Sequence, residues 1–101
     1  MQHFRVRIRD KAFTDLQDTI DYYNSQQHGL GNRFYTIFEY ALEVLKINPY
    51  FQIRFDSIRS IPLHSFPYSI YFDVDEKSTI VNVYAVFHQA LGPDKINERF
   101  K

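Results

Sequence analysis

Apolar and polar positions alternate most strictly over residues 65–88, SFPYSIYFDVDEKSTIVNVYAVFH. Tyr68, Ile70, Phe72 and Val74 alternate with Ser69, Tyr71 and Asp73. Beyond the polar turn Asp75-Glu76-Lys77-Ser78, Val81, Val83, Ala85 and Phe87 alternate with Asn82, Tyr84, Val86 and His88. A period of two on both sides of a short polar turn predicts an antiparallel hairpin with one buried face. On this parity Tyr71, Tyr84 and His88 share the opposite face. Near the N-terminus, Phe4, Val6 and Ile8 alternate with Arg5, Arg7 and Arg9, a strand with a cationic outer row. Asp10 then stands where a helix N-cap is wanted.

The period changes after Asp10. Ala12, Leu16, Ile20 and Tyr23 recur at helical spacing and predict an amphipathic helix to about Gln27. His28-Gly29-Leu30-Gly31 breaks it. Phe34, Ile37, Phe38, Ala41, Leu42 and Leu45 give a second helix from about Asn32, ended by Pro49, which pushes Asn48 out of the helical region. The short connection predicts an antiparallel helix hairpin. Residues 52–63 read as one strand. Ile53, Phe55, Ile58, Ile61 and Leu63 do not keep one parity, which predicts a bulge between Phe55 and Ile58, with Pro62 at an edge or strand end. Gly92-Pro93 then interrupts, and residues 94–101 suit a short helix with Ile96 and Phe100 on one face. The order is strand, helix, helix, then three strands. The expected fold is α+β, with the helix hairpin on one face of a four-stranded, mainly antiparallel sheet. The first strand would insert in parallel beside the last. One side of the sheet would then stay free to meet a macromolecule.

A length of 101 residues fits a single domain spanning residues 1–101, and an aromatic content of 18% supplies its core. The chain has no cysteine, which removes disulfides and thiolate metal sites and suits a reducing cytoplasm. No apolar run approaches the length of a membrane span. Twelve basic residues balance twelve acidic ones, so any basic footprint must come from segregation. Arg5, Arg7, Arg9 and Lys11 cluster ahead of Asp15, Asp18 and Asp21. That acidic trio lacks a histidine or glutamate to complete a metal set and reads as a solvated helix face. No cofactor motif or phosphate-binding loop is present.

The series Ala12-x-x-x-Leu16, Tyr22-Tyr23, Gly29-Leu30-Gly31-x-Arg33-Phe34, Asn48-Pro49, Ile58-Arg59, Phe66-Pro67-Tyr68-x-Ile70-Tyr71-Phe72 and Val86-Phe87-His88 resembles the ParE/RelE superfamily of type II toxins, the plasmid-stabilisation proteins. The resemblance runs from Phe4 to about Pro93. It implies a cytoplasmic, growth-inhibiting toxin neutralised by a tightly bound antitoxin, with the helix hairpin, residues 11–48, and an exposed sheet edge as the antitoxin's platform. RelE-like members cleave mRNA on the ribosome, whereas ParE-like members inhibit DNA gyrase. Aligned on Tyr68, the basic residues of the RelE nuclease site fall on Ser60, Pro62, Ser69 and Gln89, none of which can be cationic. A metal-free ribonuclease needs fixed cations against the pentavalent phosphate. After His88 this chain reads Gln89-Ala90-Leu91-Gly92-Pro93, where many relatives have arginines and Asp-Pro. Both departures favour a ParE-like toxin that binds its target over an enzyme. Candidate target contacts are Arg59, Tyr71, Tyr84 and His88, supported by Arg5, Arg7 and Arg9. The alternatives are a ribosome-dependent endoribonuclease, with His88 as general acid or base and Arg59 as phosphate clamp, and a degenerate toxin that only binds antitoxin. His88 also reads as a structural histidine bonded to backbone. Arg59 also reads as the ion-pair partner of an acidic side chain such as Asp73, and Arg54 as a solvated edge residue.

Overall fold

A computed structural model describes residues 3–91 and 93–100; Gly92 and Lys101 lie outside the described residues. The elements run β1 (Arg5–Ile8), α1 (Asp10–Gln26), α2 (Leu30–Ile47), β2 (Ile53–Phe55), β3 (Ile58–Pro62), β4 (Tyr68–Asp75), β5 (Ile80–His88) and α3 (Pro93–Arg99). They form one five-stranded sheet in the order β1-β5-β4-β3-β2. Strand β1 pairs in parallel with β5, from Arg5 opposite Ile80 to Ile8 opposite Val83, and every other neighbour is antiparallel.

The fifth strand corrects the sequence reading. Residues 52–63 are two strands joined by Asp56-Ser57, with Phe55 opposite Ile58. Asp56 takes a left-handed φ of 48°, a conformation that aspartate tolerates better than most residues. The parity break between Phe55 and Ile58 is therefore a chain reversal. A small irregularity does occur, one step earlier, between Ile53 and Phe55.

A second correction concerns helix starts. Asp10 lies inside the first turn of α1, where its carboxylate favours the positive end of the helix dipole. The N-cap position is Arg9, extended and without a side-chain cap. Helix α2 starts at Leu30, two residues before the expected Asn32. Gly29, with φ 84°, turns the chain between the helices. Gly31 lets them touch: a Cβ there would collide with the carbonyl of Ile20, and its N–H donates to Asn24 Oδ1 at 2.7 Å.

The two helices cover one face of the sheet. Phe34, Phe38, Leu45, Ile70, Phe72, Val81 and Val83 are completely enclosed between them. Rings of Tyr23, Phe34, Phe66 and Tyr68 pack edge-on or stacked with centroids 5.0–6.0 Å apart. The reverse face is not free. Helix α3 lies on it, and Ile58, Tyr71, Ala85 and Ile96 form a second buried cluster, flanked by Phe55, Tyr84, Phe87 and Phe100.

Candidate functional site

Register decides which predicted residues meet. In β4 and β5, Tyr71 pairs with Ala85 but Phe72 pairs with Val83, so Tyr84 is an extra residue in β5. A one-residue bulge flips every later side chain to the other face. Val81 and Val83 point to the helices, and so does Val86 beyond the bulge, whereas Ala85 turns to the reverse cluster. His88, opposite Tyr68, consequently leaves the face it was expected to share with Tyr71 and Tyr84. Its ring sits edge-on to Tyr68, with centroids 5.1 Å apart, and its Nδ1 accepts the N–H of Ala90 at 2.9 Å.

Arg59 is likewise on the helix side, opposite Phe72. Its Nη1 donates to the Phe51 carbonyl at 2.7 Å and its guanidinium lies 5.3 Å from the centre of the Tyr50 ring. It does not pair with Asp73, which faces the other way and accepts from Asn82 Nδ2 and the Tyr84 hydroxyl at 3.1 and 3.0 Å. His88 and Arg59 are opposite Tyr68 and Phe72 respectively, so they stand about 13 Å apart along β4 at the usual rise per residue.

The remaining predicted residues gather on the reverse face. Tyr71 is only 9% exposed; burial pushes its phenol up, and Arg54 partly opposes this. The Tyr84 phenol is also raised, first by burial and then by Asp73, against the pull of Arg9. Arg9 sits 5.8 Å from the Tyr84 ring centre. Arg5 and Arg7 of the outer strand β1, and Arg9 just beyond it, are exposed and extend this surface as a cationic border.

Two features escaped the sequence reading. Asp15 is not part of a solvated acidic face. Arg99 of α3 grips it with two hydrogen bonds of 2.8 and 3.1 Å, and both side chains are less than a fifth exposed. The same pair finishes the edge of β5 where β1 stops. Arg99 donates to the Tyr84 carbonyl at 3.0 Å, and Asp15 accepts the Val86 N–H at 3.0 Å. The bulge thus exposes two backbone groups, and one ion pair satisfies both. Val86, an apolar residue among the otherwise polar set Asn82, Tyr84 and His88, was the one sign of it.

The second feature is a cavity of about 540 Å³ on the reverse face, between the sheet and α3. Pro62, Ser69 and Gln89 line it, and Ser60 is joined to it through Arg54, whose Nε donates to Ser60 Oγ at 2.8 Å. The four positions aligned with the RelE cations therefore do converge in space. Here they hold a proline, two hydroxyls and an amide. Gln89 Nε2 donates to Ser69 Oγ at 3.3 Å. Arg54, assigned to a solvated edge, is the one cation that lines the cavity among the described residues. Among the described residues, no group of three histidine, cysteine, aspartate or glutamate side chains could hold a metal ion, and no helix is long and apolar enough to cross a membrane.

Comparison with known proteins agrees with this architecture. The chain superposes on a chain of a chromosomal ParDE toxin–antitoxin system from P. aeruginosa with a TM-score of 0.73 and 15% identity, covering 85% of this chain and 96% of that one. It superposes on a chain of the RelBE2 toxin–antitoxin complex from Mycobacterium tuberculosis with a TM-score of 0.60 and 20% identity, covering 85% and 98%. Identities this low speak for the fold alone. A search of curated proteins found no match by sequence. The family model of the ParE toxin of type II toxin–antitoxin systems matches residues 6–91. That span runs from β1 through β5 and takes in the cavity's walls except Ile96 of α3, and the chain belongs to the ParE toxin family of type II toxin–antitoxin systems.

Proposed function

We propose that this chain arrests growth by binding a protein target, DNA gyrase, and not by cleaving RNA. The observation that carries this reading is the makeup of the reverse-face cavity. Where a RelE-like nuclease would concentrate positive charge, Pro62, Ser69 and Gln89 supply none. The transition state of phosphodiester cleavage needs fixed positive charge around the phosphorus, and Arg54 alone is a poor substitute. The geometry of the other nuclease candidates supports the same reading. His88 and Arg59 are held apart, each committed to backbone and an aromatic ring, so they do not converge on one phosphate.

Target contact then falls to the reverse face and its border, Tyr84, Arg5, Arg7 and Arg9, with Tyr71 beneath α3. The antitoxin would occupy the outer surface of α1 and α2, where Phe13, Tyr22, Tyr35 and Tyr40 are exposed. Large aromatic side chains at such positions are typical anchors of a bound amphipathic helix. The location of action would be the cytoplasm.

Induction in bacteria with pulse labelling tests the proposal. DNA synthesis should fall first, with protein synthesis following later. The purified chain should inhibit gyrase supercoiling, and His88→Ala should leave growth arrest intact. An immediate translation block that His88→Ala abolishes would establish the nuclease instead. Growth that continues unchanged would leave a toxin that only binds antitoxin.

A further inference from the structure

The cavity that lacks a nuclease's charge is still built to hold something. Its donors point one way. Arg54 spends Nε on Ser60, and among the described residues its two terminal nitrogens have no carboxylate partner. The Tyr71 side chain, packed against α3, also faces the cavity, and its raised pKa keeps the phenol protonated and able to donate. Ser69 Oγ accepts from Gln89, which leaves its own proton to give. Among the described residues, no acidic side chain lines the cavity. Asp56, Asp94 and Glu98 border a separate cavity that shares only Phe55 with it. Phe55, Leu91 and Ile96 add apolar lining to the same cavity.

We propose that this cavity binds the C-terminal residue of a partner polypeptide, its carboxylate on Arg54 and Tyr71 and its apolar side chain against Phe55, Leu91 and Ile96. Three features favour that occupant. A single guanidinium balances one negative charge, and the edge formed by its two terminal nitrogens presents two N–H groups to the two oxygens of a carboxylate. The volume suits one or two residues. Strand β2, which supplies Arg54 and Phe55, is the outermost strand of the sheet, so its open edge can receive an extended chain and lead its end into the cavity. A nucleic acid fits less well, because phosphate contacts along a backbone call for several cations. The site does not depend on which macromolecule the toxin arrests.

The test uses the isotope-labelled full chain and two short probes, N-acetyl-Ala-Leu as the free acid and as the C-terminal amide, with uridine monophosphate as the phosphate probe. The acid should shift the backbone resonances of Arg54, Tyr71, Leu91 and Ile96. The amide should bind at least about tenfold more weakly, since a charge-assisted pair is lost. Arg54→Met should weaken the acid by a similar factor and bring acid and amide to parity. Tyr71→Phe, which removes only a hydroxyl, should weaken the acid by a smaller factor and leave the fold intact. Equal binding of acid and amide, tighter binding of uridine monophosphate, or no shift with millimolar acid would each overturn the proposal. None of these results bears on the pulse-labelling experiment, so the two readings fail separately.

Discussion

The two faces of the sheet are sealed in different ways. On the helix side, α1 and α2 together lay a continuous apolar layer over the sheet, and Phe34, Phe38 and Phe72 lose essentially all contact with water. On the reverse side a seven-residue helix covers part of the sheet and buries Ile58, Tyr71, Ala85 and Ile96. That cover is fastened by one ion pair, between residues 15 and 99. The first face follows from hydrophobic patterning, because burying large rings needs nothing but position. The second needs a specific polar contact, because so short a helix contributes too little apolar area to stay docked alone. The face built by patterning is the scaffold. The face that relies on a fastening holds the cavity and the candidate contacts.

Truncation of the deepest ring should give the largest effect. Phe34→Ala should cost about 3–5 kcal/mol through lost transfer free energy and the void left behind, read as a shifted denaturant midpoint. The matching truncation on the inner side of α3, Ile96→Ala, should cost about 2 kcal/mol or less, because α3 should lift away without unfolding the rest. Equal losses at the two sites would dissolve the contrast between scaffold and cover.

Arg99→Met tests the fastening. It leaves the largely enclosed Asp15 carboxylate and the Tyr84 carbonyl without their partner, and should cost about 2 kcal/mol. Amide exchange should quicken in α3 while Phe38 and Phe72 stay protected. Uniform exchange across the chain would show that α3 is an integral part of the core.

The smallest effect is one of pH. The phenols of Tyr71 and Tyr84 are raised from the ordinary value of 10.0, chiefly by burial. A group whose folded pKa is raised stabilises the fold fully below its unfolded value, and that contribution is lost as pH rises through the folded one. Stability should therefore decline above about pH 10, where the unfolded phenols ionise first. Tyr84→Phe should flatten this decline while losing its bond to Asp73, for about 1 kcal/mol at neutral pH. A decline of undiminished slope in that variant would place the responsible group elsewhere.

Much of the scaffold was legible before any coordinates. The hairpin of β4 and β5 and the helix pair follow from periods of 2 and 3.6 in the sequence, and the parallel docking of β1 follows from the need of a lone first strand for a partner. The errors lie where a local signal has two physical meanings. A broken parity at Phe55 and Ile58 marks either a bulge or a reversal, and Asp56-Ser57 between them are turn residues that favoured reversal. The bulge at Tyr84 carried a weaker sign, because Val86 is compatible with either face of a strand. That slip moved His88 from one side of the sheet to the other. Arg99 and Asp15 were beyond local reasoning, since 84 residues separate them and each looks solvated in its own segment. The candidate contacts were thus gathered only in part, with Tyr71, Tyr84 and the β1 arginines together and His88 and Arg59 elsewhere.

The parallel pairing of β1 with β5 sets the order in which the molecule can be finished. Arg5 meets Ile80, and Ile8 meets Val83, so the first strand synthesised has no neighbour until the last one emerges. The enclosed layer must wait open through most of translation, since contacts so distant along the chain close slowly. Strand β1 therefore stays an unmatched edge until β5, Ile80–His88, has been made.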